Sequence, residues 1–137
     1  SLGMLTVNAL NAADSVIIPV QPQYYAADGL SELLKAIYAI KQRTNPKMDI
    51  EGILYTMDTP RFNNSKRNKE AIRKTYGSHI PIFEESIPRA EVIAETASEG
   101  ISIFAYNERC KGAVQFDFIA REVISHEKMS GNTTGIL

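Results

Sequence analysis

The run Val16-Ile17-Ile18-Pro19-Val20 constrains this chain more than any other feature. It is short, continuous, uncharged and rich in β-branched side chains, the pattern of a parallel strand covered on both faces. A second strand is expected at Ile50 to Met57 and a weaker third at Ile82 to Ile87. Helical patterns lie between them. Leu30, Leu33, Leu34, Ile37 and Ile40 recur on one helical face, with Glu32, Lys35 and Lys41 off that stripe and Asp28 in the first turn. Asn45-Pro46 should stop this helix, because proline disfavours the α conformation in the residue before it. Asn64 to Tyr76 reads as a charged surface helix ending at Gly77. Phe116, Ile119, Ala120 and Val123 form a later apolar stripe, and Leu2 to Ala13 is helix-like.

Strands alternating with helices predict an α/β fold with right-handed crossovers: a three-layer, mostly parallel sheet flanked by helices. One domain over residues 1–128 is expected, and 137 residues with 44% hydrophobic content suffice for one core. Residues 129–137, polar and glycine-containing, are expected to be a disordered tail. In parallel sheets of this kind ligands sit beyond the carboxyl ends of the strands. Functional residues are therefore expected at Gln21 to Tyr25, Asp58 to Asn64 and Pro88 to Glu91.

Charge and composition narrow the partners. Between Arg61 and Tyr76 stand six basic residues and one acid, Glu70, a net of +5 in a chain whose formal net charge is -1. Such a segment suits non-specific phosphate contact or a solvated helix face. No stretch approaches the roughly 18 uncharged apolar residues of a membrane span, and no secretion signal opens the chain. The single cysteine, Cys110, excludes an internal disulfide, has no metal-ligand spacing and fits a reducing cytoplasm. His79 and His126 lack a nucleophile or carboxylate at catalytic spacing and read as structural. No catalytic constellation emerges, and there is no G-x-x-x-x-G-K-[ST] phosphate loop.

Several stretches resemble a known family. Ser1 to Leu10 is similar to the segment that follows the magnesium-associated Asp-x-Pro-Pro motif of ParA/Soj partition ATPases. The resemblance continues through Ala13 to Gln21, Tyr24-Tyr25-Ala26, Gly29-Leu30, Ile50-Glu51-Gly52-Ile53-Leu54, Thr56-Met57, Ile87-Pro88-Arg89 and Gly112-Ala113. It implies the C-terminal half of a deviant Walker-type P-loop fold, an incomplete one without its phosphate-binding half. It also implies ATP and magnesium for the complete protein and no cofactor held by this chain, which is expected to hydrolyse little or no ATP alone. ATP-dependent dimerisation, a non-specific DNA coat and a ParB-like partner follow for the family, with a cytoplasmic location and no membrane.

By resemblance, Met57, Ile87, Pro88 and Arg89 border the adenine; Met57 as core and Pro88 as a plain turn residue is the alternative. Gln21, Gln23, Tyr24, Tyr25 and Asp28 correspond to the dimer face. The family usually has an acid where this chain has Gln23, and Tyr24 and Tyr25 could equally be rings packed at a domain edge. Arg61 matches a family arginine used for DNA, with Lys66, Arg67 and Lys69 beside it and Arg109 and Lys111 as further contacts. Val92 stands where the family often has a second arginine. A strand beside Val16 to Val20 is missing from such a half, so homo-oligomeric association through that edge is expected. The other reading is a truncated standalone paralogue acting as a dimerisation or DNA- or protein-binding module.

Overall fold

The computed structural model describes residues 3–134, and side chains as far as Met129. Its elements run α1 (Met4–Ala12), β1 (Ser15–Val20), a 3-10 turn (Pro22–Tyr24), α2 (Ala27–Arg43), β2 (Asp49–Tyr55), α3 (Asn63–Tyr76), α4 (Glu91–Glu99), α5 (Ile103–Asn107) and α6 (Lys111–Thr134). β1 and β2 are parallel, as the crossover through α2 requires.

The alternation of side chains along β2 builds the layers. Ile53 and Tyr55 enter one core with Ile18, with Leu10 of α1, with Leu30, Leu34 and Ile37 of α2, and with Ile72 of α3. Leu54, between them, faces the other way and packs with Phe83 and with Ile119 of α6. A period of two therefore sends successive residues of one strand to helices on opposite faces. The α2 stripe is thus confirmed, with Leu33 and Ile40 at its half-buried flanks. The α6 stripe is weaker than its spacing suggested: Ile119 is buried, Phe116 and Val123 half-buried, and Ala120 exposed.

Asn45 does more than precede a proline. Its Nδ2 donates to the carbonyls of Leu10 and Ala13, both at 2.9 Å, satisfying groups at the end of α1 that the helix itself leaves unpaired. Lys41 closes the same corner by donating to the carbonyls of Pro46 and Met48.

The third strand is reduced to two isolated parallel bridges, Ile53 with Ile82 and Asp58 with Pro88. Ladder bonds reach it from Ile53 N to the Pro81 carbonyl, from Phe83 N to the Ile53 carbonyl and from Ile87 N to the Tyr55 carbonyl. Between these anchors Glu84 and Glu85 leave the ladder, and Glu85 accepts from Gln115 of α6 at 2.8 Å. The second strand ends at Tyr55, two residues before the expected Met57, because Met57 takes a positive φ of 47°. α4 and α5 lie in a stretch for which the sequence reading offered no element. The polar stretch expected to be a tail continues α6 as far as Thr134; Gly135 to Leu137 lie outside the described residues.

A register shift between Val16 and Ile17 opposes Ile50 and Gly52, leaving Glu51 as the extra residue of a bulge. Gly52 has φ 149°, and a Cβ there would stand 2.7 Å from the Pro81 carbonyl oxygen. The bulge turns Glu51 toward α6, where its Oε2 lies 2.7 Å from His126 Nδ1. Gly52→Ala should therefore destabilise the fold by about 2 kcal/mol or more, through strain and displacement of the 81–83 segment. A denaturant melt with unchanged midpoint would contradict this account of the bulge.

Candidate functional site

The candidate site begins where β2 stops. Thr56 N still donates to the Val20 carbonyl at 2.9 Å, and then Met57 adopts the left-handed region that a methionine rarely visits. That kink turns Asp58 toward the third segment. Asp58 N donates to the Ile87 carbonyl at 3.0 Å and Arg89 N donates to the Asp58 carbonyl at 3.2 Å. Pro88, held between these bonds, has no N–H to leave unsatisfied. The kink and the turn are thereby clamped side by side, and α4 starts directly after them at Glu91.

Met57, Ile87, Pro88 and Arg89, which the sequence places together only by resemblance, all line one cleft of about 760 Å³ with Ile93 and Ala94 of α4. Met57 is 51% exposed at its rim, so it is not a core residue. The walls are predominantly aliphatic, with Thr56, Arg89 and Glu91 as the polar residues. Such a cleft suits a flat apolar group with a few polar edges.

The residues assigned to a dimer face gather at the 3-10 turn after β1. Pro22 is buried beneath it, Tyr24 is 66% exposed, and Tyr25 is half-buried. The Tyr25 phenol is raised above its ordinary 10.0, by burial first and then by its neighbours Tyr76 and Asp28. Gln21 and Asp28 are exposed. The Gln23 carboxamide accepts from Thr59 Oγ1 at 3.4 Å and so belongs to a contact within its own chain.

The basic residues divide. Arg61, Lys66 and Arg67 are exposed, as are Arg73 and Lys74 further along α3. Lys69 is different: its ammonium bonds the buried Asp58 carboxylate and sits 5.1 Å from the Tyr55 ring centroid. Arg109 and Lys111 stand exposed at the corner between α5 and α6, on another element altogether. His126 pairs with Glu51 and meets the Phe83 ring at 6.2 Å, consistent with a structural role. Among the described residues no group of three or more His, Cys, Asp or Glu could hold a metal ion, and no helix is long and apolar enough to cross a membrane.

Comparison with known proteins decides the relationship. Residues 1–50 match an AAA domain family. The ParA chromosome partitioning protein of Myxococcus xanthus is 40% identical over 93% of this chain and 44% of its own length. The Soj sporulation initiation inhibitor protein of Bacillus subtilis is 39% identical over 92% of this chain and 49% of its own. This chain is a ParA/Soj homologue. It spans about half the length of the curated relatives it matches. Among solved structures, a cobyrinic acid a,c-diamide synthase from Mycobacterium smegmatis superposes with TM-score 0.73 at 29% identity, over 93% of this chain and 44% of that one. That synthase has also been solved with an ATP analog and magnesium bound.

Sequence reasoning placed Asp58 at the head of the expected Asp58 to Asn64 stretch without giving it a role, and it missed Ser86 altogether. It also missed Tyr55, whose buried phenol is raised above 10.0, chiefly by burial and further by Asp58 and Tyr25, against the lowering effect of Arg73. A phenol raised on folding contributes stability that is complete below its unfolded value and lost as pH climbs through the folded one. Wild-type protein should therefore lose stability more steeply than Tyr55→Phe as pH climbs above about 10 in parallel denaturant melts. Parallel slopes for the two proteins would contradict the burial argument.

Proposed function

We propose that this chain supplies the adenine-side wall of a ParA/Soj-type partition ATPase. The supporting observation is the convergence of Met57, Ile87, Pro88 and Arg89 on one cleft at the carboxyl ends of parallel strands. In this reading the aliphatic walls stack against the purine while the clamped backbone of the 56–58 and 87–89 segments presents hydrogen-bonding groups to its edge. ATP and magnesium are the ligands of the complete protein. The residues present suit the base and not the triphosphate, since the sequence has no glycine loop with a lysine to cradle phosphates. The magnesium and phosphate chemistry accordingly belongs to residues outside this sequence.

Exposed Arg61, just before α3, and exposed Lys66 and Arg67 on it support a second role in the same protein, non-specific contact with DNA phosphates in the cytoplasm. The 3-10 turn and α2 start, with exposed Tyr24 and Asp28, supply part of a dimer face, and a ParB-like protein is the expected partner of the assembled ATPase. A standalone dimerisation or DNA- or protein-binding module is the alternative, favoured by the exposure of Lys66, Arg67, Arg73 and Lys74 along α3.

Titration of the chain with adenosine and with magnesium-ATP, followed by amide chemical shifts, tests the proposal. Both ligands should perturb the Met57, Ile87 and 89–91 amides weakly, with dissociation constants within about threefold of each other, because phosphates add no grip. No ATP hydrolysis is expected. ATP binding about a hundredfold tighter than adenosine, or turnover by this chain, would contradict it.

A further inference from the structure

Asp58 is 3% exposed and is held by four bonds, two through its side chain and two through its main chain. Its Oδ2 accepts from Ser86 Oγ at 2.8 Å and from the Lys69 ammonium of α3, while Oδ1 is buried with no protein partner. Its main chain meanwhile holds Ile87 and Arg89. Among the described residues Lys69 is thus the one cation paired with a carboxylate that burial would otherwise strand, and its ammonium also lies over the Tyr55 ring. The next residue along α3 in the other direction, Asn68, donates to the Pro22 carbonyl at 2.7 Å. Two consecutive side chains of one helix therefore reach two different loops: Asn68 the turn after β1, and Lys69 the segment that walls the cleft.

We propose that Asp58 and Lys69 are positioning residues that dock the Ile87–Arg89 turn onto α3, so that Lys69 spends its charge inside the protein and is not a phosphate contact. This rests on the adenine-side reading for its functional meaning but not for its geometry. α3 cannot move relative to the sheet without dragging the cleft wall, because the pair sits at the junction of β2, α3 and the 86–89 segment. The phosphate-facing charges are then Arg61, Lys66, Arg67, Arg73 and Lys74, all exposed.

Amide hydrogen exchange on Lys69→Met, Asp58→Asn and the double variant tests the pairing. In Lys69→Met the Asp58, Ile87 and Arg89 amides should exchange about tenfold faster, while the Ile53 and Thr56 amides in the sheet stay within about twofold of wild type. The double variant should return the turn amides to within about threefold of wild type, because a neutral carboxamide needs no ammonium partner while Ser86 can still bond it. Unchanged turn amides in Lys69→Met, faster exchange throughout the sheet, or no rescue in the double variant would each overturn the proposal. If Lys69→Met fails to fold, the double variant against Asp58→Asn alone reads the same coupling: the Ile87 and Arg89 amides should exchange within about threefold in the two, and exchange about tenfold faster in the double variant overturns it. A separate arm measures binding to random-sequence duplex DNA against salt. The double variant should keep the wild-type slope, whereas Lys66→Ala with Arg67→Ala should reduce its magnitude by about two. A reduced slope in the double variant would return Lys69 to the phosphate contacts and overturn its inward role. Absence of any DNA binding would defeat the DNA reading and leave the exchange result to decide the docking.

Discussion

The close approach of the 81–83 backbone to Gly52 organises this protein. β2 is flanked on one edge by β1 and on the other by that segment, and it sends side chains to helices on both faces. A strand so enclosed admits no side chain where a second backbone passes 2.7 Å from the Cβ position. Glycine at residue 52 lets the neighbour in, and the accompanying bulge directs Glu51 to His126 of α6. The two helical layers are joined through this one strand, so whatever disturbs it disturbs both.

From the opposite end of β2 comes the candidate site. Parallel strands deliver their carboxyl ends to one side of a sheet, and here that side collects the 3-10 turn, the Met57 kink and the 87–89 turn. The kink carries strain at a residue that is neither glycine nor asparagine, and that strain is held by the backbone bonds on either side of it. A buried carboxylate next to the kink ties the arrangement to the basic helix. The cleft is thus a consequence of how three chain segments are forced together, not of any one of them.

Much of this architecture was legible in the residues. The β-branched run before Gln21 and the leucine stripe of α2 are read directly from periodicity, since burial on one or two faces leaves a period in the sequence. Asn45-Pro46 marked a helix end, but not the capping of α1, which depends on a tertiary contact. The third strand was overread because proline at positions 81 and 88 and the outward turn of Glu84 and Glu85 break its ladder. α4 and α5 went unseen; α4 has only Thr96 buried and α5 has no buried residue. At the site, the convergence of Met57 with Ile87, Pro88 and Arg89 came from family resemblance, and no local pattern links residues thirty apart. The burial of Lys69 was invisible within a run of six basic residues, five of which face solvent.

The relatives place the chain among ParA/Soj proteins while covering only about half of their length, and the physical account agrees with that partial match. A largely aliphatic cleft of about 760 Å³ is present, and the sequence offers no phosphate-gripping loop beside it. An experimental structure of this chain grown with magnesium-ATP tests the account most directly. The account predicts density for the adenine between Met57 and the Ile87–Arg89 turn, with the phosphates unordered beyond the rim. An ordered triphosphate and metal held by this chain, or a base bound elsewhere, would contradict it.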